Sequence, residues 1–125
     1  MFLLFSHKLT EDQIREAKEI KGVTGFVSLP EDLQHDWSNV PPELADYELE
    51  DYAKRFYTWL DKNGDFKTDL TLCAGDPGLV HLIVSRYEGC IYATTKRETV
   101  TETLPDGSVK KTNVFKHYKF RYFSN

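Results

Sequence analysis

Residues 1–29 read MFLLFSHKLTEDQIREAKEIKGVTGFVSL, and this stretch decides the fold. It begins with the apolar run of residues 2–5, which is typical of a strand covered on both faces. Thr10 and Gln13 have the spacing of a capping box, so an amphipathic helix is expected to begin there. Residues 26–29 predict a second strand. A strand, a helix and a strand within about thirty residues form a parallel crossover unit.

The rest of the chain continues this alternation of strands and helices. The elements predicted from apolar spacing are a helix from Pro30, a long helix Tyr47–Lys62, a strand at residues 70–74, a helix Leu79–Tyr87, a strand Cys90–Ala93 and, after a turn at residues 104–107, a return strand Val109–Phe123. We therefore expect a single α/β domain over residues 1–125. Its predicted architecture is a Rossmann-like, open, mainly parallel sheet of about four strands with flanking helices and a C-terminal antiparallel β-hairpin.

The composition is that of an ordinary folded domain. Of 125 residues, 40% are hydrophobic and 29% are charged, enough apolar material to enclose one core. The first residues lack the basic lead of a signal peptide, and no apolar stretch approaches transmembrane length. Cys73 and Cys90 lie inside apolar runs without nearby metal ligands. We therefore expect free thiols, no metal, no cofactor, no membrane contact and a cytoplasmic location.

Charge is distributed unevenly along the chain. The net charge is −4, which argues against a protein that coats DNA or other long nucleic acids by electrostatics alone. Residues 90–125 hold seven Lys or Arg against three Asp or Glu, whereas residues 1–89 hold nine against seventeen. A local basic region on an acidic body suits a small anionic ligand. A hairpin whose lysines only protect an edge strand explains the pattern equally well.

Polar residues able to bind phosphate follow three of the predicted strands. Each set is named after its strand: the first tip is Ser6 and His7, the third tip is Gly75, Asp76, Pro77 and Gly78, and the fourth tip is Thr94, Thr95, Lys96 and Arg97. The carboxyl ends of parallel strands meet at one edge of a sheet, and ligands bind there at the point where the strand order reverses. The three tips are therefore expected to form one pocket.

The first and third tips each have a chemical and a structural interpretation. Ser6 can donate to a phosphate oxygen and His7 can move a proton near neutral pH, but both also suit a plain loop before the helix. Residues 75–78 open a helix whose amides favour anions. Asp76 is also suited to capping that helix or to accepting a hydrogen bond from a ribose hydroxyl.

The fourth strand gives the strongest local signal. Thr94 and Thr95 offer hydroxyls, Lys96 a movable point charge and Arg97 a planar fork for phosphate oxygens. The alternative is a pair of long cations that cover apolar surface at the start of the hairpin. Strict alternation along the return strand predicts that Val114, Lys116, Tyr118, Phe120 and Tyr122 share one side, with Phe115, His117, Lys119, Arg121 and Phe123 on the other. Three histidines lack the paired spacing of metal ligands, and we interpret them as surface or packing residues: His35, His81 and His117.

Four strings, in order along the chain, resemble a known family. They are MFLLFSH at residues 1–7, WSNVPP at 37–42, YATTKR at 92–97 and VFKHYKFR at 114–121. Over its whole length the chain is similar to the small CRISPR-associated Csx proteins of type III systems. Those proteins are ring nucleases related to the CARF-type Rossmann-like sensors.

The resemblance implies a homodimer that binds cyclic tetra-adenylate, the second messenger of type III CRISPR immunity, and linearises it to switch the response off. Cleavage by attack of the ribose 2′-hydroxyl on the adjacent phosphodiester needs no metal. The catalytic candidates are His7, Lys96 and Arg97, and the ligand-binding candidates are Ser6, Gly75, Asp76, Gly78, Thr94 and Thr95. Pro77, which lacks an amide donor, leaves the phosphate contact of the third tip open.

Two other functions suit the same residues. The pocket could sequester the cyclic nucleotide without cutting it, because alignment for attack is more demanding than affinity. The chain could also be an RNA-binding accessory protein, with steep salt dependence toward linear RNA. Its contacts would be Lys110, Lys111, Lys116, Lys119 and Arg121 beside Tyr118 and Phe123.

Overall fold

A computed structural model describes residues 1–64 and 69–123 of the chain. In chain order the elements are β1 (Phe2–Leu4), α1 (Glu11–Glu19), β2 (Val27–Ser28), α2 (Glu31–Ser38), α3 (Asp46–Asn63), β3 (Thr71–Cys73), α4 (Pro77–Arg86), β4 (Cys90–Thr103) and β5 (Val109–Tyr122). The predicted mixed α/β class, with a mostly parallel sheet, flanking helices and a C-terminal antiparallel hairpin, is confirmed. The sheet has five strands because the return strand of the hairpin belongs to it.

The strands lie in the order β2-β1-β3-β4-β5, and the first four are parallel. The strand order reverses between β1 and β3, because the chain moves outward from β1 to β2 and then crosses back. Leu4 pairs with Cys73 and Leu72 pairs with Ile91, so β1 and β3 end at one edge and β4 passes the same edge. We call this the carboxyl edge.

Helices cover both sides of the sheet. α1 packs on one side through Ala17, which is fully buried, and it begins with the predicted capping box between Thr10 and Gln13. α2, α3 and α4 pack on the other side around Trp37 and Phe56. Neither these four helices nor any other helix in the described ranges is long and apolar enough to cross a membrane.

Cys73 and Cys90 are free and buried in neighbouring strands. Burial raises the pKa of the Cys90 thiol to about 11, and it raises the pKa of Cys73 even further. Both thiols are therefore protonated at neutral pH and pack as small apolar groups.

β4 does not end at Ala93, as the sequence pattern predicted, but continues to Thr103. The cause is its pairing with β5, which runs without interruption from Thr95 opposite His117 to Thr103 opposite Val109. The run of threonines between the charged residues suits such a strand. We call residues 95–117 the distal hairpin; it extends beyond the carboxyl edge by roughly 30 Å.

A β-bulge separates the distal hairpin from the part of β5 that lies in the sheet. Between the pairs Ala93–Phe120 and Thr95–His117, one residue of β4 faces two of β5. The Thr94 hydroxyl donates to the backbone oxygen of Lys119 at 2.7 Å. The bulge reverses the alternation, so the prediction that Phe120 and His117 lie on opposite sides of β5 is wrong. Both face α1.

Candidate functional site

Helix α2 joins the ends of the two strands between which the order reverses. The Ser6 hydroxyl, just beyond β1, lies 2.9 Å from the Ser38 hydroxyl at the end of α2. The Trp37 indole N–H donates to the backbone oxygen of Ala74, just beyond β3, at 3.0 Å. The first and third predicted tips therefore belong to one edge, and α2 fixes their relative position.

The first tip lines a cleft of about 380 Å³ at the carboxyl edge. Ser6 and His7 are exposed in it, together with Lys8, which the sequence analysis did not select. The residues lining this cleft include neither the third tip nor Lys96. His7 has no hydrogen-bond partner among the residues the structure describes, so nothing there orients its ring. Lys8 could have been found from its position directly after His7.

At the third tip, Asp76 caps helix α4. Its carboxylate accepts from the backbone N–H of Leu79 at 3.0 Å, the geometry of a side-chain N-cap. Gly75 lies against the Trp37 indole, where an added Cβ would be 2.9 Å from the ring nitrogen. At Gly78 an added Cβ would meet a Leu49 methyl at 2.7 Å, so the start of α3 also lies at this edge. Of the interpretations weighed for Asp76, helix capping is the one with a contact in the structure.

The fourth tip lies within strand β4. The Thr94 hydroxyl is occupied by the backbone of Lys119, as described above. Successive side chains of a strand point to opposite faces, so Lys96 and Arg97 do not share one. Cys90 packs in the α3 cluster and Ile91 in the α1 cluster; this alternation puts Lys96 on the α3 side and Arg97 on the α1 side.

Lys96 lies on the same side of the sheet as Ser6. Along β1, Leu4 packs in the α3 cluster and Ser6, two residues later, contacts α2 on that side. β3 lies between β1 and β4 in the sheet, so one strand separates the segment that holds Ser6 from the strand that holds Lys96.

A second cation stands beside Lys96. Lys116 is directly opposite it across the antiparallel pair, and like charges in that position are destabilising. Lys116 forms an ion pair with Glu98 at 3.2 Å, whereas Lys96 has none among the described residues. A bound anion on the α3 side would relieve the repulsion. From sequence Lys116 was a candidate only for RNA contact. Its pairing with Lys96 follows from the extra residue in the bulge, which shifts the register of the two strands.

A buried pair anchors β5 to α1. His117 Nε2 lies 2.6 Å from a Glu16 carboxylate oxygen, and the backbone N–H of Phe120 donates to that carboxylate at 2.9 Å. The Glu16 side chain is 10% exposed. From sequence His117 was interpreted as a surface or packing residue, and its 4% exposure shows that it is a packing residue.

The largest cleft described, about 590 Å³, lies at the opposite edge of the sheet, where β1 and β3 begin. Tyr87 donates to Asp61 at 2.8 Å in its wall, and Arg86 pairs with the same carboxylate at 3.1 Å. The hydrogen bond from Tyr87 lowers the pKa of Asp61, and burial raises the pKa of Tyr87 to about 12. In the described part of the chain, no three His, Cys, Asp or Glu side chains cluster as metal ligands would.

Comparison with known proteins shows the family. A family profile, that of the uncharacterized protein MJ1673 family, matches residues 1–121. The chain belongs to this family. It is 38% identical to the uncharacterized protein MJ1673 of Methanocaldococcus jannaschii, over an alignment of 128 residues that covers 99% of this chain and 96% of the relative. No solved structure gives a significant match. The similarity to the MJ1673 family thus extends over nearly the whole chain.

Proposed function

We propose that this protein is a metal-independent cyclic oligoadenylate phosphodiesterase, a ring nuclease. In this proposal a cytoplasmic homodimer binds cyclic tetra-adenylate and linearises it to switch off type III CRISPR signalling. The domain would be a CARF-like member of the Rossmann-like folds. The strand order with its reversal between β1 and β3 supports that assignment, because it is one of the two common doubly wound orders.

The observation that carries the proposal is the common edge of Ser6, the start of α4 and Lys96. Ser6 and the start of α4 follow the carboxyl ends of β1 and β3, and Lys96 lies in β4 where that strand passes the same edge. Ser6 and Lys96 lie on the same side of the sheet, and Lys96 brings a positive charge that has no ion-pair partner among the described residues. A hydroxyl, a helix N-terminus and a cation are groups that bind phosphodiesters.

The reaction follows from the chemistry of the ligand. In an oligoadenylate the ribose 2′-hydroxyl lies beside the 3′-phosphate. Its oxygen gives up its proton to a base and forms a bond to phosphorus, the bond from phosphorus to the 5′-oxygen breaks, and the 5′-oxygen takes up a proton and leaves as a hydroxyl. The product is a linear adenylate ending in a 2′,3′-cyclic phosphate. We assign Lys96 to the charge that grows on the phosphate oxygens, with Ser6 as a phosphate contact and His7 as the proton-transfer group.

Three candidates of the fourth tip have a smaller part or none in this mechanism. Thr94 acts through the bulge, because its hydroxyl is bonded to the backbone of Lys119. Arg97 projects toward the α1 side and has no part in the pocket of its own subunit. Thr95, on that same side, is likewise not assigned a phosphate contact.

A two-fold dimer suits a ring of four equivalent nucleotides. Such a ring has a two-fold axis, so two identical carboxyl edges can present the same groups to opposite phosphates. The cleft beside Ser6 and His7 is about 380 Å³, at the small end of ligand pockets, as expected for one half of a shared site.

The decisive experiment is incubation with cyclic tetra-adenylate in EDTA, with protein in excess, followed by chromatography of the products. We expect linear adenylates ending in cyclic phosphate. Lys96→Ala should slow the single-turnover rate about 10²–10³-fold, the usual effect of removing one charge-stabilising donor. Lys62→Ala is the matched control, because Lys62 is an exposed lysine at the far end of α3. Failure of the wild-type protein to cut the ring contradicts the catalytic proposal.

Sequestration without cleavage is the second candidate, and the state of His7 favours it. His7 is exposed and lacks a hydrogen-bond partner in the described residues, whereas a general base is usually oriented by a third group. The same incubation separates the two functions. An intact ring that stays bound to the wild-type protein, and is bound more weakly by Lys96→Ala, identifies a sequestering protein.

A further inference from the structure

Apart from His117 at its base, the distal hairpin has no buried side chain on either face. Between residues 95 and 117 only Glu98, Leu104 and His117 are even partly buried. An isolated two-stranded ribbon is marginally stable in water, so a hairpin of this length needs a surface to pack on. Of the large apolar side chains that are exposed, several lie on β4 and β5, and Phe115 is 67% exposed.

The two faces of the distal hairpin differ in charge. On the face turned toward the α1 side the pairs are Arg97–Phe115, Thr99–Asn113, Thr101–Lys111 and Thr103–Val109. This face has two cations, two apolar side chains and no carboxylate. The opposite face carries Glu98 and Glu102 among its lysines. We call the first the carboxylate-free face.

A complementary surface occurs on the same molecule. Residues 31–51 contain eight Asp or Glu and no Lys or Arg. A cleft of about 560 Å³ extends from this acidic strip into the next turn of α3. It is lined by three carboxylates, two tyrosines, one leucine and one lysine: Glu48, Glu50, Asp51, Tyr47, Tyr52, Leu44 and Lys54. Lys54 pairs with Asp51, so Glu48 and Glu50 give the cleft its net negative charge. Tyr47 is 73% exposed. An aromatic side chain flanked by cations suits such a cleft.

The hairpin and the cleft both lie at the carboxyl edge. β4 and β5 leave the sheet at this edge, and α3 begins there, as the contact of Leu49 with Gly78 shows. When two copies face each other across this edge, each hairpin points past the start of the other copy's α3. Each copy would then contact the other through the same two surfaces, so the assembly is complete with two subunits.

We propose that the carboxylate-free face of each distal hairpin docks on the acidic strip of a second copy of this chain, with Phe115 in the cleft beside Tyr47. We infer that the partner is a second copy of this chain, because its acidic strip supplies the negative charge that complements the cations of the carboxylate-free face. The inference locates the two-fold contact assumed in the proposed function and is independent of its ligand and chemistry.

The test is the mass of the full-length protein by sedimentation over a dilution series. We expect a dimer, and Lys111→Glu with Phe115→Ala should weaken its association at least about tenfold. Lys110→Glu with Val114→Ala is the matched control, because it makes the same kind of change on the opposite face of the same hairpin. The control should leave the dimer intact. Circular dichroism verifies that each variant is folded.

Charge exchange tests the partner surface. Glu50→Lys should also dissociate the dimer, and mixing it with Lys111→Glu should restore a heterodimer. A dimer that neither the hairpin variant nor Glu50→Lys weakens overturns this inference and leaves the proposed function standing. A wild-type monomer throughout the micromolar range overturns both this contact and the two-fold site. A hairpin that instead binds linear RNA, with the chain monomeric, identifies a nucleic-acid surface and overturns the inference.

Discussion

Replacing Glu16 with Ala is expected to destabilise the protein by about 2–6 kcal/mol. The Glu16 carboxylate accepts from the backbone N–H of Phe120 at 2.9 Å and from His117 Nε2 at 2.6 Å. These contacts hold β5 against α1 at the bulge, where the distal hairpin leaves the sheet. The side chain is only 10% exposed, so water does not replace it without local opening.

The magnitude follows from the two donors that would be left. An unsatisfied buried donor costs about 1–3 kcal/mol, and Phe120 N–H and His117 Nε2–H would both lose their acceptor. A ring flip does not rescue the histidine, because its other nitrogen, Nδ1, is already buried without a partner in the described residues. A domain of this size has a stability of roughly 5–15 kcal/mol, so the loss is a large fraction of the total.

The assay is urea denaturation, combined with hydrogen exchange of the β5 amides. Exchange at Phe120 should accelerate more than at the amides of α3, because the anchor and not the whole core is lost. Glu16→Gln keeps one acceptor oxygen and should lie between wild type and Glu16→Ala. Glu19→Ala, an exposed glutamate one turn further on α1, is the control. A change of less than about 0.5 kcal/mol for Glu16→Ala would refute the reasoning, since that is the range of ordinary surface substitutions.

Three further outcomes are expected. Asp76→Ala should cost about 1 kcal/mol in urea denaturation through loss of the α4 cap, and Asp76→Asn should be close to wild type; equal losses contradict the capping role. Gly75→Ala should shift the fluorescence of Trp37 and lower stability by about 1–3 kcal/mol, because the new Cβ would lie 2.9 Å from the indole nitrogen. The lowered pKa of Asp61 stabilises the fold above pH about 4, and this contribution is lost as pH falls. Tyr87→Phe removes the hydrogen bond that lowers the pKa of Asp61, so the melting temperature of this variant should fall less steeply as the pH is lowered below about 4. A pH dependence equal to that of the wild type would contradict the role of this hydrogen bond.

The parallel core was predictable because each of its elements depends on local patterns. The capping box of α1, the long apolar stripe of α3 and the glycine and proline signals around α4 all act within one or two turns. Their boundaries agree with the sequence prediction to within a few residues. The position of the tips at one edge then follows from parallel pairing alone.

The bulge was not predictable in the same way. Residues 114–122 alternate without a break in sequence, and only the pairing with β4 shows that an extra residue is inserted. Thr94 stabilises the irregularity through its hydroxyl, a contact between residues 25 positions apart. The bulge therefore places the residues of β5 before it on the opposite face of the sheet from the one that strict alternation with the residues after it predicts.

The same geometry explains why neighbours in sequence separate in function. Lys96 and Arg97 suggested one cationic centre because they are adjacent, yet adjacent residues of a strand project to opposite faces. The cation that does share a face with Lys96 is Lys116, twenty residues away. The two like charges repel each other, so an anion bound on that face would be stabilising. Arg97 is left on the carboxylate-free face, where a partner's acidic strip is the complementary surface. In the two proposals one hairpin would present an anion-binding face to its own crevice and a docking face to a second subunit, so variants on the two faces should separate ligand binding from dimerisation.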